Sequence, residues 1–286
     1  MDGFITALKA ELFVALRSNS TRLVVLLPAV ISALQLVLVS FRSAGDQARD
    51  ALTGQGFGPG TVDGADAWGA LVDAMSTGLT LIGLTLVAYA AWSFASDKDS
   101  GALRHLLIRR VSRRALVLAK LATAHIVGAL SVALMLAVAI VVANGLWQFG
   151  PVVEDGYELI GTAEIHSEIR IGLLLALVPL PAAIALGMLI SVSTQNATQA
   201  ITAALGLTLA LDIFKALMGN FSSYLYVTYQ SSLLNESYLD DVSRLVRGFS
   251  DVLIDPAALQ LNQWAPWPQF LLFVVLSLIV VQYRKL

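Results

Sequence analysis

The sequence predicts an all-α membrane protein with about six transmembrane helices. An amphipathic surface helix precedes them, and short external re-entrant or surface helices join two of them. Three observations lead there. Apolar runs of about twenty residues, nearly free of charge, recur along the chain, which is the length a helix needs to cross a bilayer at about 1.5 Å per residue. Charged residues make up 13% of the chain and hydrophobic residues 57%, whereas a soluble domain carries about 25% charged residues. Finally, Lys and Arg are bunched between particular runs, most densely from Ser96 to Lys120.

The 286 residues read as one transmembrane domain. There is no cysteine, which excludes disulfides, thiolate metal sites and cysteine nucleophiles. Residues 1–20 lack the short apolar core and small-residue cleavage site of a signal peptide. Ile5, Leu8, Leu12 and Leu16 recur there at helical spacing, with Lys9, Glu11 and Arg17 between them. This predicts a helix along the cytoplasmic membrane surface; the alternative is a helix packed on other protein.

The first span is expected from Leu23 to Phe41, with Pro28 near its start where a missing N–H costs little. Arg42 to Asp73 follows, an acidic and Gly-rich external loop containing GQGFGPG. It lacks the Gly-Lys-Ser/Thr ending of a phosphate loop, so no nucleotide site is expected. The second span runs from Ala74 to Phe94 and the third from Leu121 to Val142. Gly128 would permit close helix packing, and His125 reads as a lone histidine at a helix interface. Gly150 to Arg170 is expected as a second external loop with a solvated acidic surface rather than a chelate around His166.

Ile171 to Leu211 contains no charge and suits a helical hairpin broken at Ser191 to Asn196, the first arm kinked at Pro179 and Pro181. Those arms are the fourth span, Ile171 to Ile190, and the fifth, Ala197 to Leu217. Asp212 and Lys215 sit three apart near the end of the fifth, on one helix face. They are either an interfacial ion pair or part of a transport pathway. Residues 220–263 form the longest external segment. Tyr224, Tyr226, Tyr229 and Tyr238 suit a headgroup-level belt, and Leu239 to Leu253 is an amphipathic stretch expected on the outer leaflet. The last span runs from Pro268 to Gln282.

The charges orient this plan. Twelve of the eighteen Lys and Arg residues fall on the side of the Ser96–Lys120 island and both termini, which makes that side cytoplasmic.

The island carries a motif. Asp97 and Asp99 are followed by Gly101-Ala102-Leu103, Leu106-Leu107, Arg110-Val111-Ser112-Arg113 and Lys120. With the topology, this resembles the membrane subunits of type-2 ABC exporters, whose motif has Thr and Pro where this chain has Ala102 and Arg110. The resemblance extends over the whole plan, the motif over about 25 residues. It implies a permease whose cytoplasmic link between the second and third spans, residues 96–114, docks on a separate ATPase. Asp97, Asp99, Gly101, Leu103, Leu106, Leu107, Arg113 and Arg114 are then the coupling residues, and Asp212 and Lys215 the possible pathway residues. Leu103, Leu106 and Leu107 offer an apolar face, and the arginines suit acidic groups on the motor or anionic lipid.

The chain has no Walker-type motif, so it is not expected to be an enzyme; ATP and Mg would be bound by the partner, and no cofactor by this chain. The implied partners are two ABC ATPase subunits, a second copy or a homologous permease, membrane lipid and an extracytoplasmic protein; nucleic acid is not among them. The competing readings are a non-transporting scaffold that passes ATPase motion to an external partner, and an intramembrane enzyme. The second lacks a base beside a nucleophile. The expected location is a bacterial inner membrane with both termini in the cytoplasm, and the expected cargo is hydrophobic or amphipathic, entering from the membrane.

Overall fold

Nine of the eleven α-helices among the described residues overlap the apolar or amphipathic runs described above. The computed structural model describes residues 2–53, 63–101, 111–154, 157–232, 237–249 and 256–283. In chain order they are α1 (Asp2–Arg17), α2 (Asn19–Thr53), α3 (Asp63–Asp99), α4 (Arg113–Leu146), α5 (Thr162–Leu177), α6 (Leu180–Ser193), α7 (Ala197–Phe214), α8 (Tyr226–Tyr229), α9 (Tyr238–Val246), α10 (Pro256–Trp264) and α11 (Pro266–Tyr283). The short α8 and α10 are the two that no run announces. A 3-10 helix, Lys215–Tyr224, extends α7.

Among the described residues, six helical segments are long and apolar enough to cross a membrane, including the composite α5–α6 and α10–α11. This is a multi-pass membrane protein. At about 1.5 Å per residue, the 37 residues of α3 reach about 55 Å, well past a hydrocarbon core of about 30 Å.

Burial is unequal. The second and fourth spans are the most enclosed, and the first, fifth and sixth expose most of their surface. The core lies where α3 and α6 meet, with α2, α4, α7 and α11 around them. Gly187 explains why these two helices approach so closely. A Cβ there would lie 2.6 Å from the Val87 carbonyl oxygen and 3.0 Å from Ala90 Cβ, backbone and methyl that cannot swing aside. At Gly128, the glycine expected from the sequence, the obstacle would be the Leu86 side chain.

Several expectations need correction. The loop expected over 42–73 is much shorter, because α2 continues to Thr53 and α3 starts at Asp63; GQGFGPG lies outside the described residues. The second is not a plain loop. An antiparallel hairpin, β1 (Val152–Glu154) with β2 (Tyr157–Ile160), leads into α5, so Glu164, His166, Glu168 and Arg170 lie on a helix. Trp68 anchors this region, donating from Nε1 to the Gly150 carbonyl at 2.9 Å and packing against Phe149 and His166. The fourth span does break at Pro179, between α5 and α6.

The amphipathic helix of the long segment is shorter than expected and faces protein. Leu239, Val242 and Val246 are fully buried against α3 and α5. Tyr226 is buried and the Tyr238 hydroxyl donates to Glu168 at 3.0 Å, so neither stands in a headgroup belt. Trp264 and Trp267 are exposed, as a membrane interface requires.

Candidate functional site

The end of α3 that enters the basic island is held from three directions. Lys120 on α4 is 5% exposed, and its Nζ reaches Asp97 Oδ2 on α3 at 2.7 Å and Glu11 Oε2 on α1 at 3.0 Å. The sequence placed Lys120 in water at the edge of the island. The structure buries it, because α1 folds over α4 with Ala7 and Ala15 inward. An ammonium removed from water needs opposite charge and hydrogen bonds close by, and two carboxylates provide both.

The second hold is Ser191 on α6, whose hydroxyl accepts from the Phe94 and Ala95 backbone N–H groups at 3.1 and 3.0 Å. The third is Lys98, which donates to the Thr194 carbonyl at 3.1 Å, beside the turn into α7. A displacement of α3 at this end therefore pulls on α1, α4, α6 and the α6–α7 turn together.

The expected coupling residues divide as follows. Asp97 and Asp99 lie in the last turn of α3, where the helix dipole disfavours carboxylates. Lys120 offsets that for Asp97. Gly101 follows with φ +74, the left-handed conformation that stops a helix and suits glycine. Arg113 and Arg114 open α4, capped by Ser112, whose hydroxyl accepts from Ala115 N–H at 3.1 Å. Leu103, Leu106 and Leu107 lie outside the described residues.

Beside the Lys120 cluster a cleft of 350 Å³ opens between α1 and α3. Glu11, Asp97 and Lys120 line it, with Tyr89 and Trp92 on its α3 wall and Val14 on its α1 wall. Burial pushes the Glu11 carboxyl up from its ordinary value, against the pull of the Lys120 charge.

A second cluster lies about 22 Å along α7 from the α6–α7 turn. Asp212 and Lys215 pair at 2.8 Å, as their spacing predicts, and both are buried. Ser232 donates to the other Asp212 oxygen. Next to them is a water-sized cavity of 30 Å³, lined by Thr80, Thr208, Gln230 and Ser231 among others. Gln230 Oε1 and Ser231 Oγ are buried without a hydrogen-bond partner among the described residues. Gln230 fills the notch left by Gly83 on α3. Lys215→Met should cost about 3–5 kcal/mol of stability, and Lys215→Met with Asp212→Asn much less, because the neutral pair leaves no unpaired charge. Thermal unfolding of the purified variants reads this directly.

At the same end of α3, Arg247 Nη2 meets Asp73 Oδ2 at 2.7 Å and Ser76 donates to Asp240 at 3.0 Å, fastening α9 to α3. His125 bonds the Leu121 carbonyl through Nδ1 at 2.8 Å and faces Phe270. Among the described residues no three His, Asp or Glu side chains converge as a metal cluster.

Sequence reasoning missed Glu11, Tyr89, Trp92, Gln230 and the Asp73–Arg247 pair. Glu11 had a signal, since past Asp2 at its start it is the one acid in a helix whose other charges are basic. The others had none that distinguishes them from ordinary interface residues.

A family model described as "Protein of unknown function (DUF2705)" matches residues 56–239, more than half of the chain and the greater part of both clusters. No curated protein matches the sequence.

Proposed function

Because the chain belongs to the DUF2705 family, whose function is unknown, we propose a function from its own residues: it is the membrane-spanning permease subunit of an ATP-driven exporter of the type-2 ABC class. One observation carries this reading. Lys120 joins the two ends of the basic island, Asp97 at its start and its own position at its close, and draws in the surface helix through Glu11. A motor pressing on a link between two spans needs that link tied to both, or its motion dissipates in water. Ser191 and Lys98 extend the same grip to α6 and the α6–α7 turn.

In this reading the island faces the cytoplasm and Leu103, Leu106 and Leu107 dock on two ATPase subunits, which hold ATP and Mg. A second copy of the chain completes the route, bounded by the exposed faces of α2 and α7. Cargo leaves past the Asp212 cluster.

The fastening of α9 to α3 favours a second reading, a scaffold that passes motor movement to an external partner without transport. The Asp73–Arg247 pair would carry α3's displacement to the outer surface.

Purification of the tagged chain from its native host in mild detergent tests the first reading. A stoichiometric ATPase is expected with it, lost when Leu103 and Leu107 are both changed to Asp. An intact chain with no ATPase attached would sink both readings. An ATPase together with an extracytoplasmic protein, and no substrate movement in vesicles, would favour the scaffold.

A further inference from the structure

We propose that the cleft between α1 and α3 binds the ammonium group of an amphiphile, with the apolar tail running out along α1. The argument begins with charge. Two carboxylates, Glu11 and Asp97, face one cation, Lys120, so the cleft carries a formal charge of minus one, and Lys120 is the sole cation among its described lining residues. Lys120 is already engaged by both acids and offers an anion little.

The hydroxyls point the same way. Ser93 donates to the Ala90 carbonyl and Ser96 to the Ser93 carbonyl, which commits their protons and leaves oxygen lone pairs for a donor. Tyr89 and Trp92 follow one another on α3, with ring centroids 6.4 Å apart. Aromatic faces next to a negative charge are the surroundings in which an ammonium group is held, by cation–π attraction to the rings.

The rest of the cleft suits a tail. Apart from Glu11, its α1 wall is apolar, and Val14, with Phe13 and Leu16 beside it, stands exposed. A surface helix with such side chains sits at headgroup depth, where ammonium heads and acyl tails meet. A free inorganic cation would use the acids but not the rings or the apolar wall. The inference needs the membrane location but not the export reading, and binding here would stand whether or not an ATPase partner exists.

The test uses the full chain purified in dodecyl maltoside. Native mass spectrometry follows retention of phosphatidylethanolamine against phosphatidylglycerol of identical acyl chains. Decyltrimethylammonium serves as the soluble probe, read by displacement and by thermal protection. Retention of the ethanolamine lipid about tenfold over the glycerol lipid identifies a lipid headgroup. Protection by decyltrimethylammonium without lipid preference identifies a free cationic amphiphile. In either case Trp92→Leu, which leaves every ion pair intact, should reduce binding several-fold, and Asp97→Asn should do so as well. Equal retention of both lipids with no protection by the soluble probe would overturn the proposal. So would selectivity that survives Trp92→Leu.

Discussion

Replacing Lys120 with Met should lower the protein's unfolding midpoint by on the order of 10 °C. The side chain of Met fills nearly the same volume, so packing of α4 changes little. What changes is charge. Glu11 and Asp97, at 15% and 24% side-chain exposure, lose the cation that lies 3.0 and 2.7 Å from them. Removing one partner from a buried group of charges costs about 3–5 kcal/mol, because the carboxylates that remain stay half out of water. Adding Glu11→Gln and Asp97→Asn to Lys120→Met should recover most of the loss. If the triple variant is no more stable than the single one, the cluster is not an electrostatic unit.

The same variant should respond to pH with a definite sign. Burial already raises the Glu11 carboxyl above its ordinary value, and Lys120 opposes that rise. Without the ammonium the carboxyl rises further. A folded-state value above the unfolded one means the native state binds the additional proton, so stability falls as pH rises through that interval and returns as pH falls. The deficit of Lys120→Met should therefore narrow between pH 7 and the ordinary glutamate range near 4.5. A deficit that widens on acidification would contradict the assignment of Glu11 to the cluster.

Gly187→Val should be the most damaging single substitution in the bundle interior. The added Cβ would meet the Val87 carbonyl oxygen at 2.6 Å, and the only relief is to move α3 away from α6. That separation disturbs the core and also the hydrogen bonds from Phe94 and Ala95 to Ser191. The cost should reach or exceed the upper end of the about 1–3 kcal/mol typical of overpacked cores. Folded yield and unfolding midpoint in detergent measure it. Gly206→Ala is the control, since nothing lies within 4 Å of a Cβ there, and it should leave both unchanged. A well-folded Gly187→Val protein would mean that α3 and α6 are not in close contact.

How much of this was legible beforehand depended on the range of the interaction. The six spans could be read from the chain because each depends on its own residues and on the solvent around them: an uncharged run of twenty residues lowers its free energy in lipid whatever its neighbours do. The break at Pro179 was equally local, set by a missing N–H. The pairing of Asp212 with Lys215 followed from helix periodicity.

The lengths of α2 and α3 beyond the membrane, the hairpin at Val152 and the docking of α9 were not legible, since they depend on contacts between distant segments. Lys120 shows the difference most clearly. From its neighbours it belongs to a charged island in water, and only the fold of α1 over α4 brings Glu11, 109 residues away, to 3.0 Å. The sequence alone determined that this protein crosses the membrane about six times and where the charged island falls, because partition between water and lipid acts residue by residue. The tertiary structure alone decided which of those charges are buried, which helices they join and where a cleft opens, because burial and pairing exist only once the helices have packed.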